Sequence, residues 1–417
     1  MIEDSNIKVK AINFARGIIP TSIFGLLRPA YHYLISALSA IYYGYPSRKL
    51  KVLAVTGTKG KSTTTFMLAQ VLRGLGEKTA SIGSLGYSIN EKSWPNKLKM
   101  TMPGRGKIHK FLRQALDAGC DWCVLETTSE GIEQFRLVGV DIFGAVFTNL
   151  HPEHIESHGS MENYKNAKLK LFAKKANIHV LNFEDPYFSD FALFCPPITI
   201  TYGAKNGMLT FNDVPNLNLR VAGDFNKLNA LAVVSMCVAL GFDKDRVVEI
   251  LNNISEIPGR MQTINLRNGA VAIVDYAHTP DSLDAVYRNA RQMVGEDAKL
   301  ITVLGSAGGG RDIWKRPIFG KIAQSYADKI ILTDEDPFEE DPSKIIDDIK
   351  QGFNMNLKLD YEVIMDREQA ILQACSLAKT GDIVVITGKG SEISMALAGG
   401  AKIPWSDSEI VKKFELL

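Results

Sequence analysis

From residue 51 onward, short runs of apolar and β-branched residues alternate with longer stretches whose apolar residues recur at a helical period. KVLAVT (51–56), TASIG (79–83), WCVLET (122–127), GAVFTN (144–149) and IHVLN (178–182) read as strands, and helices fit 61–75, 107–118 and 160–175. Strands that are apolar nearly throughout, separated by helices, predict a mostly parallel sheet covered on both faces. Residues 196–222 break the pattern with Gly, Asn and Pro turns and predict a small β appendage at the sheet edge. Helices at 227–240 and 244–253 follow, and SEIPGR (255–260) marks a domain boundary. Beyond it AVAIVDYA (270–277), LITVLG (300–305), KIILTD (329–334), YEVIMD (361–366) and IVVITG (383–388) form a second alternating series, which predicts a second doubly wound α/β unit.

The first 50 residues stand apart. They hold six basic residues (Lys8, Lys10, Arg16, Arg28, Arg48, Lys49) against Glu3 and Asp4, a net +4, which leaves −2 for the rest of a chain whose total is +2. A near-neutral whole gives no field for nucleic acid, so no nucleic-acid partner is expected. Pro29–Tyr45 (PAYHYLISALSAIYYGY) is the most apolar stretch. At about 17 residues it sits at the lower limit for crossing a bilayer, and it carries His32, two serines and several tyrosines. A helix docked on the protein body is the first expectation; a peripheral membrane contact through residues 29–45 is the alternative. Apolar residues at 46% and charged residues at 23% exclude disorder, collagen and coiled coil as the main state. Five cysteines are too few and too odd in number for a disulfide framework and fit a reducing cytoplasm. Cys120 and Cys123 have CxxC spacing without a second pair, and read as core thiols rather than metal ligands.

The strongest local chemistry is VTGTKGKSTTTFMLAQVL (55–72), an apolar strand running through a glycine loop into a helix. Gly57 and Gly60 let backbone N–H groups of Thr58 and Lys59 approach phosphate oxygens, and the helix N-terminus adds its positive dipole end. Lys61 reaches the outer phosphates, Ser62 can ligate Mg²⁺, and Thr63 completes the loop. The spacing is G-x-x-G-K-S, shorter than the usual phosphate loop because Val55 stands where the first glycine would be. GTKGKST resembles the loop of the Mur ligases, ATP-dependent enzymes that add amino acids to the peptidoglycan precursor; folylpolyglutamate synthetases share a related loop.

Further segments carry the same resemblance. LETTSEGIEQFRLVGVDIFGAVFTNLHPEHIESHG (125–159) looks like the family's segment running from a strand-end glutamate to an Asn-Leu…His stretch. It implies Glu126 and His154 as Mg²⁺ ligands and Thr128, Ser129 and Asn149 toward substrate; read without the resemblance, His151, His154 and His158 are loop histidines. In ENYKNAKLKLF (162–172), Lys168 occupies the position that Mur ligases carbamylate with CO₂ to support a second Mg²⁺; by sequence alone it is a helix-face lysine. GDFNKLNALA (223–232) implies Asn226 and Asn229 on the adenine of ATP, with a plain helix cap as the alternative. IPGRMQ (257–262), VDYAHTPDSL (274–283) and GSAGGGRDIWKRPIFG (305–320) resemble the MurE type, which adds the third residue of the stem peptide. They imply Arg260, Asp275 and His278 toward ATP and Arg311 toward substrate, with Lys61, Lys168, His154, Glu126 and Arg260 as the catalytic set.

The resemblance covers roughly residues 51–395. About 50 residues precede the loop, too few for the α/β domain with which the family grips UDP. Where MurE-type enzymes for diaminopimelate carry Asp-Asn-Pro-Arg, this chain has Glu335-Asp336-Pro337-Phe338. Phe338 replaces the arginine that would pair with the distal carboxylate, which argues against diaminopimelate. The acidic run around Asp336 suits a cationic end such as that of lysine, or is a solvated loop, while Gly388 and Glu392 in TGKGSE (387–392) match a family stretch that would hold an amino group. The expected architecture is a short helical N-terminal segment (1–50), a central P-loop-type ATPase domain (51–257) and a Rossmann-like C-terminal amino-acid-binding domain (258–417). The expected function is an ATP-dependent amide ligase working through an acyl phosphate, with ATP, two Mg²⁺ and a carbamate on Lys168. Its partners would be an amino acid and a muramyl-peptide-like acceptor, and it would be a cytoplasmic monomer. The same chemistry on a lipid-linked or folate-type acceptor, and a non-catalytic nucleotide-binding scaffold, are the rival readings.

Overall fold

The computed structural model describes residues 21–415, apart from 99, 105, 154, 311 and 358. The chain forms two compact units: Met1–Leu217 with Leu228–Leu251, and Asn218–Lys227 with Asn252–Leu417. The division differs from a single cut near residue 257, because the first turn of the helix Asp224–Ala239 groups with the second unit.

In the first unit, strands β1 (Lys51–Thr56), β2 (Thr79–Gly83), β3 (Gly86–Ile89), β4 (Lys92–Trp94), β5 (Trp122–Glu126), β6 (Gly144–Phe147), β7 (Ile178–Asn182) and β8 (Ile198–Tyr202) make one sheet in the order β4-β3-β2-β5-β1-β6-β7-β8. All neighbours from β2 to β8 are parallel, and only the meander β2-β3-β4 is antiparallel. β1, β5, β6 and β7 are buried on both faces, as their unbroken apolar runs require. The helices Lys61–Gly74 and Lys107–Asp117 cover this sheet, the second presenting Ile108, Phe111, Leu112 and Ala115 to the core.

The expected β appendage at 196–222 is not a separate unit. Its one strand, β8, joins the main sheet parallel to β7, and Tyr202 is buried with its hydroxyl donating to Phe147 O at 3.2 Å. The rest is a 3₁₀ turn (Phe211–Asp213) and loop. The pleat of β7 supplied a ready partner, so pairing outweighed the local turn signals. β3 and β4 escaped the sequence reading because they are short and partly polar; cross-strand pairing makes them strands.

The helix Thr21–Tyr42 docks on the first unit, with Ser36 and Ala40 buried. Close approach is allowed by small partners: Cβ atoms built on Gly106 and Gly139 would stand 2.1 Å from Ser39 Oγ and 2.4 Å from Ala40 Cβ. No helix among the described residues is long and apolar enough to cross a membrane.

The second unit holds β9 (Gln262–Asn265), β10 (Val271–Asp275), β11 (Leu300–Leu304), β12 (Lys329–Leu332), β13 (Tyr361–Val363) and β14 (Ile383–Thr387) in the order β13-β12-β11-β14-β10-β9. β9 alone is antiparallel, an edge strand with too few apolar residues to be read from pattern. One apolar cluster packs around Leu283, Tyr287 and Phe319, another around Ile371, Cys375 and Val411. A hairpin of β15 (Ser394–Ala396) and β16 (Lys402–Pro404) follows.

Candidate active site

In the first unit the chain leaves β1 to one side, toward β2, and crosses back over it from β5 to β6. Ligand sites of open α/β sheets lie at such a switch, outside the carboxyl ends of the strands. The glycine loop sits there, between Thr56 at the end of β1 and the helix that begins at Lys61. Two glycines are dictated by geometry. Gly57 has φ 152°, and a Cβ would stand 1.9 Å from Thr148 Oγ1; Gly60 caps the helix at φ 82°, and a Cβ would stand 2.2 Å from Asn229 Oδ1.

The segment after β6 clamps this loop. Thr58 N donates to Asn149 O at 2.8 Å, Lys59 N to Asn149 Oδ1 at 2.8 Å, and Asn149 Nδ2 returns to Lys59 O at 3.1 Å. Thr148 Oγ1 donates to Lys59 O at 2.6 Å, and His151 N to Thr58 Oγ1 at 2.9 Å. Asn149, expected toward substrate, thus holds the loop through both ends of its amide. Buried Asp185 steadies the clamp by accepting from Leu150 N at 2.8 Å; burial pushes its carboxyl above the usual range. Lys59 pairs with Glu153 at 3.1 Å, and Lys61 Nζ donates to Thr58 O at 2.7 Å. Ser62 and Thr63 are buried in the first helical turn.

Glu126, at the end of β5, is buried beside the loop. Its Oε1 accepts from Ser62 Oγ at 2.7 Å and Ser84 Oγ at 3.2 Å, and its Oε2 from Ser84 N at 2.6 Å. An anionic oxygen and a hydroxyl, both hard donors, sit one hydrogen bond apart next to a phosphate-type loop. This donor set fits Mg²⁺, which is held by one or two carboxylates while phosphates and water complete its shell. Among the described residues no group of three His, Cys, Asp or Glu side chains gathers to hold a metal by itself.

Lys168 reaches the loop from the other side, on the helix Met161–Phe172. It is buried, and its Nζ donates to Gly57 O at 2.7 Å. Burial, and then the charge of Lys61, push its ammonium well below its ordinary value. A lysine so placed gives up its proton more readily than an exposed one, and the neutral amine is the form that reacts with CO₂. As an ammonium it would not fit a metal; as a carbamate it would offer an anionic oxygen. Tyr164, one turn earlier, meets Thr58 Oγ1 at 3.0 Å.

Thr128 caps the short helix Ser129–Glu133, accepting from Gly131 N at 3.1 Å, and Ser129 is buried at 3.0 Å from His158 Nε2. Arg136 donates to Met102 O and to Gln134 Oε1 and lines a shallow recess with His32, Ser36, Gly104 and His109. Ser84 was not singled out from sequence: a lone serine on a turn carries no motif, and only the folded chain brings it to Glu126. His154 and Arg311 lie outside the described residues.

In the second unit, Asn226 is buried with Nδ2 donating to Ala222 O at 2.6 Å; Asn229, further along the same helix and part of the first unit, lies against Gly60 of that unit. Asp275 is buried, accepting from Met261 N at 2.7 Å and Ala277 N at 2.8 Å, so it orders the turn that carries Arg260. The Arg260 guanidinium lies 4.5 Å from the Tyr276 ring centre, and His278 packs on the same ring. Asp336 accepts from Lys389 Nζ at 2.8 Å and Ala396 N at 2.6 Å, and Lys389 also pairs with Glu392. Asp336 of the acidic run and Glu392 of the TGKGSE stretch are therefore both bound to a lysine of the chain itself, and Glu340 is paired with buried Arg316. Glu335 is buried against Gly388, and burial raises its carboxyl to about 7 despite Arg367 and Lys389 nearby. Phe338 stands half-exposed at φ 53°.

Comparison with known proteins agrees with this geometry. The Mur ligase middle domain matches residues 55–237, and the Mur ligase, glutamate ligase domain matches 259–390. The chain is 34% identical over 404 residues to the UDP-N-acetylmuramoyl-L-alanyl-D-glutamate--2,6-diaminopimelate ligase of Geobacillus thermodenitrificans, covering 91% of this chain and 81% of that protein. It is 36% identical over 389 residues to the enzyme of the same name from Aquifex aeolicus (89% and 79%). To the UDP-N-acetylmuramyl-tripeptide synthetase of Roseiflexus it is 34% identical over 412 residues (90% and 80%). A solved structure of a UDP-N-acetylmuramoyl-L-alanyl-D-glutamate--2,6-diaminopimelate ligase superposes with a TM-score of 0.60 at 29% identity, covering 88% of this chain and 78% of that one. E. coli FolC in complex with DHPP and ADP superposes at 0.67 and 17% identity, covering 92% of each, and so shares the fold. With two domain families matched in order and relatives a third identical over about nine-tenths of its length, the chain belongs to the Mur ligase family of ATP-dependent ligases, in its MurE-type branch.

Proposed function

We propose that this protein joins an amino acid to a carboxylate of a UDP-muramoyl-peptide acceptor, in line with the names of its relatives. In the proposed reaction the acceptor carboxylate attacks the γ-phosphorus of ATP, giving an acyl phosphate and ADP. The amine of the incoming amino acid then attacks the acyl carbon, loses a proton and expels phosphate, leaving an amide. The loop amides and Lys61 hold the phosphates, and Ser62 and Glu126 would hold Mg²⁺. Bound there, the metal would supply positive charge beside the transferring phosphoryl group. Lys168–NH₂ and CO₂ would give Lys168–NH–COO⁻ and a proton, an anionic ligand for a second Mg²⁺ together with His154. Asn226, Asn229, Arg260 and His278 are proposed on the nucleotide. A cytoplasmic monomer is the proposed working form.

The observation that carries the reading is the buried Glu126 bonded to Ser62 of the glycine loop, with a buried, charge-averse Lys168 on the loop's other side. Phe338 in place of an arginine disfavours diaminopimelate, whose distal carboxylate would lack its partner, and lysine is the amino acid proposed against it. The test is phosphate release and product mass with UDP-MurNAc-dipeptide and a panel containing both. Release that depends on acceptor and amino acid together supports the reading; no release with any pair refutes it. A product with diaminopimelate but not lysine would refute the choice of amino acid alone.

A further inference from the structure

The helix Thr21–Tyr42 has a face that neither the core nor the ligase chemistry uses. Its inward side is committed, with Ser36 and Ala40 buried; on the flank Tyr33, itself half-exposed, meets Phe135 edge-on at 5.8 Å. Its outward side presents Tyr31, Leu34, Leu38, Ile41 and Tyr42, exposed by 44, 57, 54, 58 and 81%. At 100° per residue these five fall within an arc of roughly 100°, a continuous stripe. No charged residue occurs between Arg28 and Arg48. A helix on a protein surface ordinarily turns polar residues to water, and a contiguous apolar patch marks an interaction site.

Charge decides what covers it. From Ser5 to Gly76 the sequence has no Asp or Glu, against ten Lys and Arg. Exposed Arg28 precedes the stripe, and exposed Arg48, Lys49 and Lys51 follow it. A second copy laid on this face would set basic ends against basic ends in either orientation. An anionic lipid surface meets every feature: the aliphatic stripe enters the acyl boundary, tyrosines sit at headgroup level, and lysine and arginine meet anionic headgroups. We propose that the helix Thr21–Tyr42 seats the protein on an anionic bilayer, lying in the interface plane with Tyr31, Leu34, Leu38, Ile41 and Tyr42 in the lipid. This placement goes beyond the ligase reading and does not depend on it.

The experiment is co-sedimentation of the full-length protein with vesicles of phosphatidylcholine and phosphatidylglycerol in equal parts, and of phosphatidylcholine alone. Wild type should sediment with the mixed vesicles, less as salt is raised, and poorly with phosphatidylcholine. Leu34→Glu with Leu38→Glu should abolish binding while the thermal melt stays unchanged. Arg48→Gln and Lys49→Gln, which leave the stripe intact, should each weaken partition roughly fivefold. Wild type that stays in the supernatant with both vesicles overturns the proposal, as does equal binding to both. So does a wild-type dimer in sedimentation velocity that the double glutamate variant dissolves, which would make a second copy the occupant.

Discussion

Glu126→Gln separates the chemistry of the proposed metal site from its architecture. The carboxylate accepts from Ser62 Oγ at 2.7 Å, Ser84 N at 2.6 Å and Ser84 Oγ at 3.2 Å. A glutamine of the same shape can turn its oxygen to Ser84 N, which only donates, and its amide N–H to Ser62 Oγ, which can rotate and accept. The network survives with neutral bonds in place of charge-assisted ones, a loss of about 1–2 kcal/mol and a melting shift of roughly 2–8 °C. Activity should fall far more. Removing one preorganised electrostatic group costs about 10²–10³ in kcat, and here it removes the anionic oxygen beside Ser62. The assay is coupled ADP release at saturating acceptor and amino acid across a Mg²⁺ titration, with a thermal melt of the same preparation. The expected result is a deep loss of kcat, a rise in the Mg²⁺ requirement and a small melting shift. Turnover within threefold of wild type at the wild-type Mg²⁺ requirement would refute Glu126 as a ligand. A melting loss large enough to account for the activity would refute its separation from the fold.

Three further outcomes follow from buried charges. Lys168 has a lowered folded-state pKa, so below 10.5 the unfolded chain binds a proton that the folded chain resists. Its stability cost is full at low pH and fades as pH rises toward 10.5; in carbonate-free buffer Lys168→Met should therefore gain most over wild type at low pH while losing ligase activity, checked by urea unfolding and ADP release. Glu335 is the mirror case: raised from 4.5 to about 7, it stabilises fully below 4.5 and loses that contribution as pH rises through 7. Glu335→Gln should thus overtake wild type between those pH values by up to about 3 kcal/mol, measured by denaturation at both ends. Arg367 and Asp407 form a two-bond ion pair at 2.9 and 2.8 Å, nearly fully buried. Arg367→Met alone should cost about 3–5 kcal/mol by stranding Asp407, and Asp407→Leu added to it should restore most of the loss in urea unfolding; an unimproved double variant would contradict this.

The sequence by itself determined the two α/β series, because strands buried on both faces must be apolar throughout and such runs are visible without a fold. It also marked the phosphate loop, since glycines before a Lys-Ser pair at a strand-to-helix turn serve a close backbone approach to anions. Tertiary structure decided what depends on partners far along the chain. β8 became an edge strand rather than an appendage because β7 offered it a ladder. Asn149 became a clamp on Lys59, 90 residues away. Ser84 joined Glu126 across 42 residues, and Lys168 crossed 111 residues to Gly57, where burial pushes its ammonium below its ordinary value. The acidic run at 334–340 suited a cationic ligand or a solvated loop, yet Lys389 and Arg316 pair with Asp336 and Glu340 from within. Local pattern records how each segment meets water. Hydrogen-bond partners and shifted protonation arise between segments, where only the folded chain sets distance and burial.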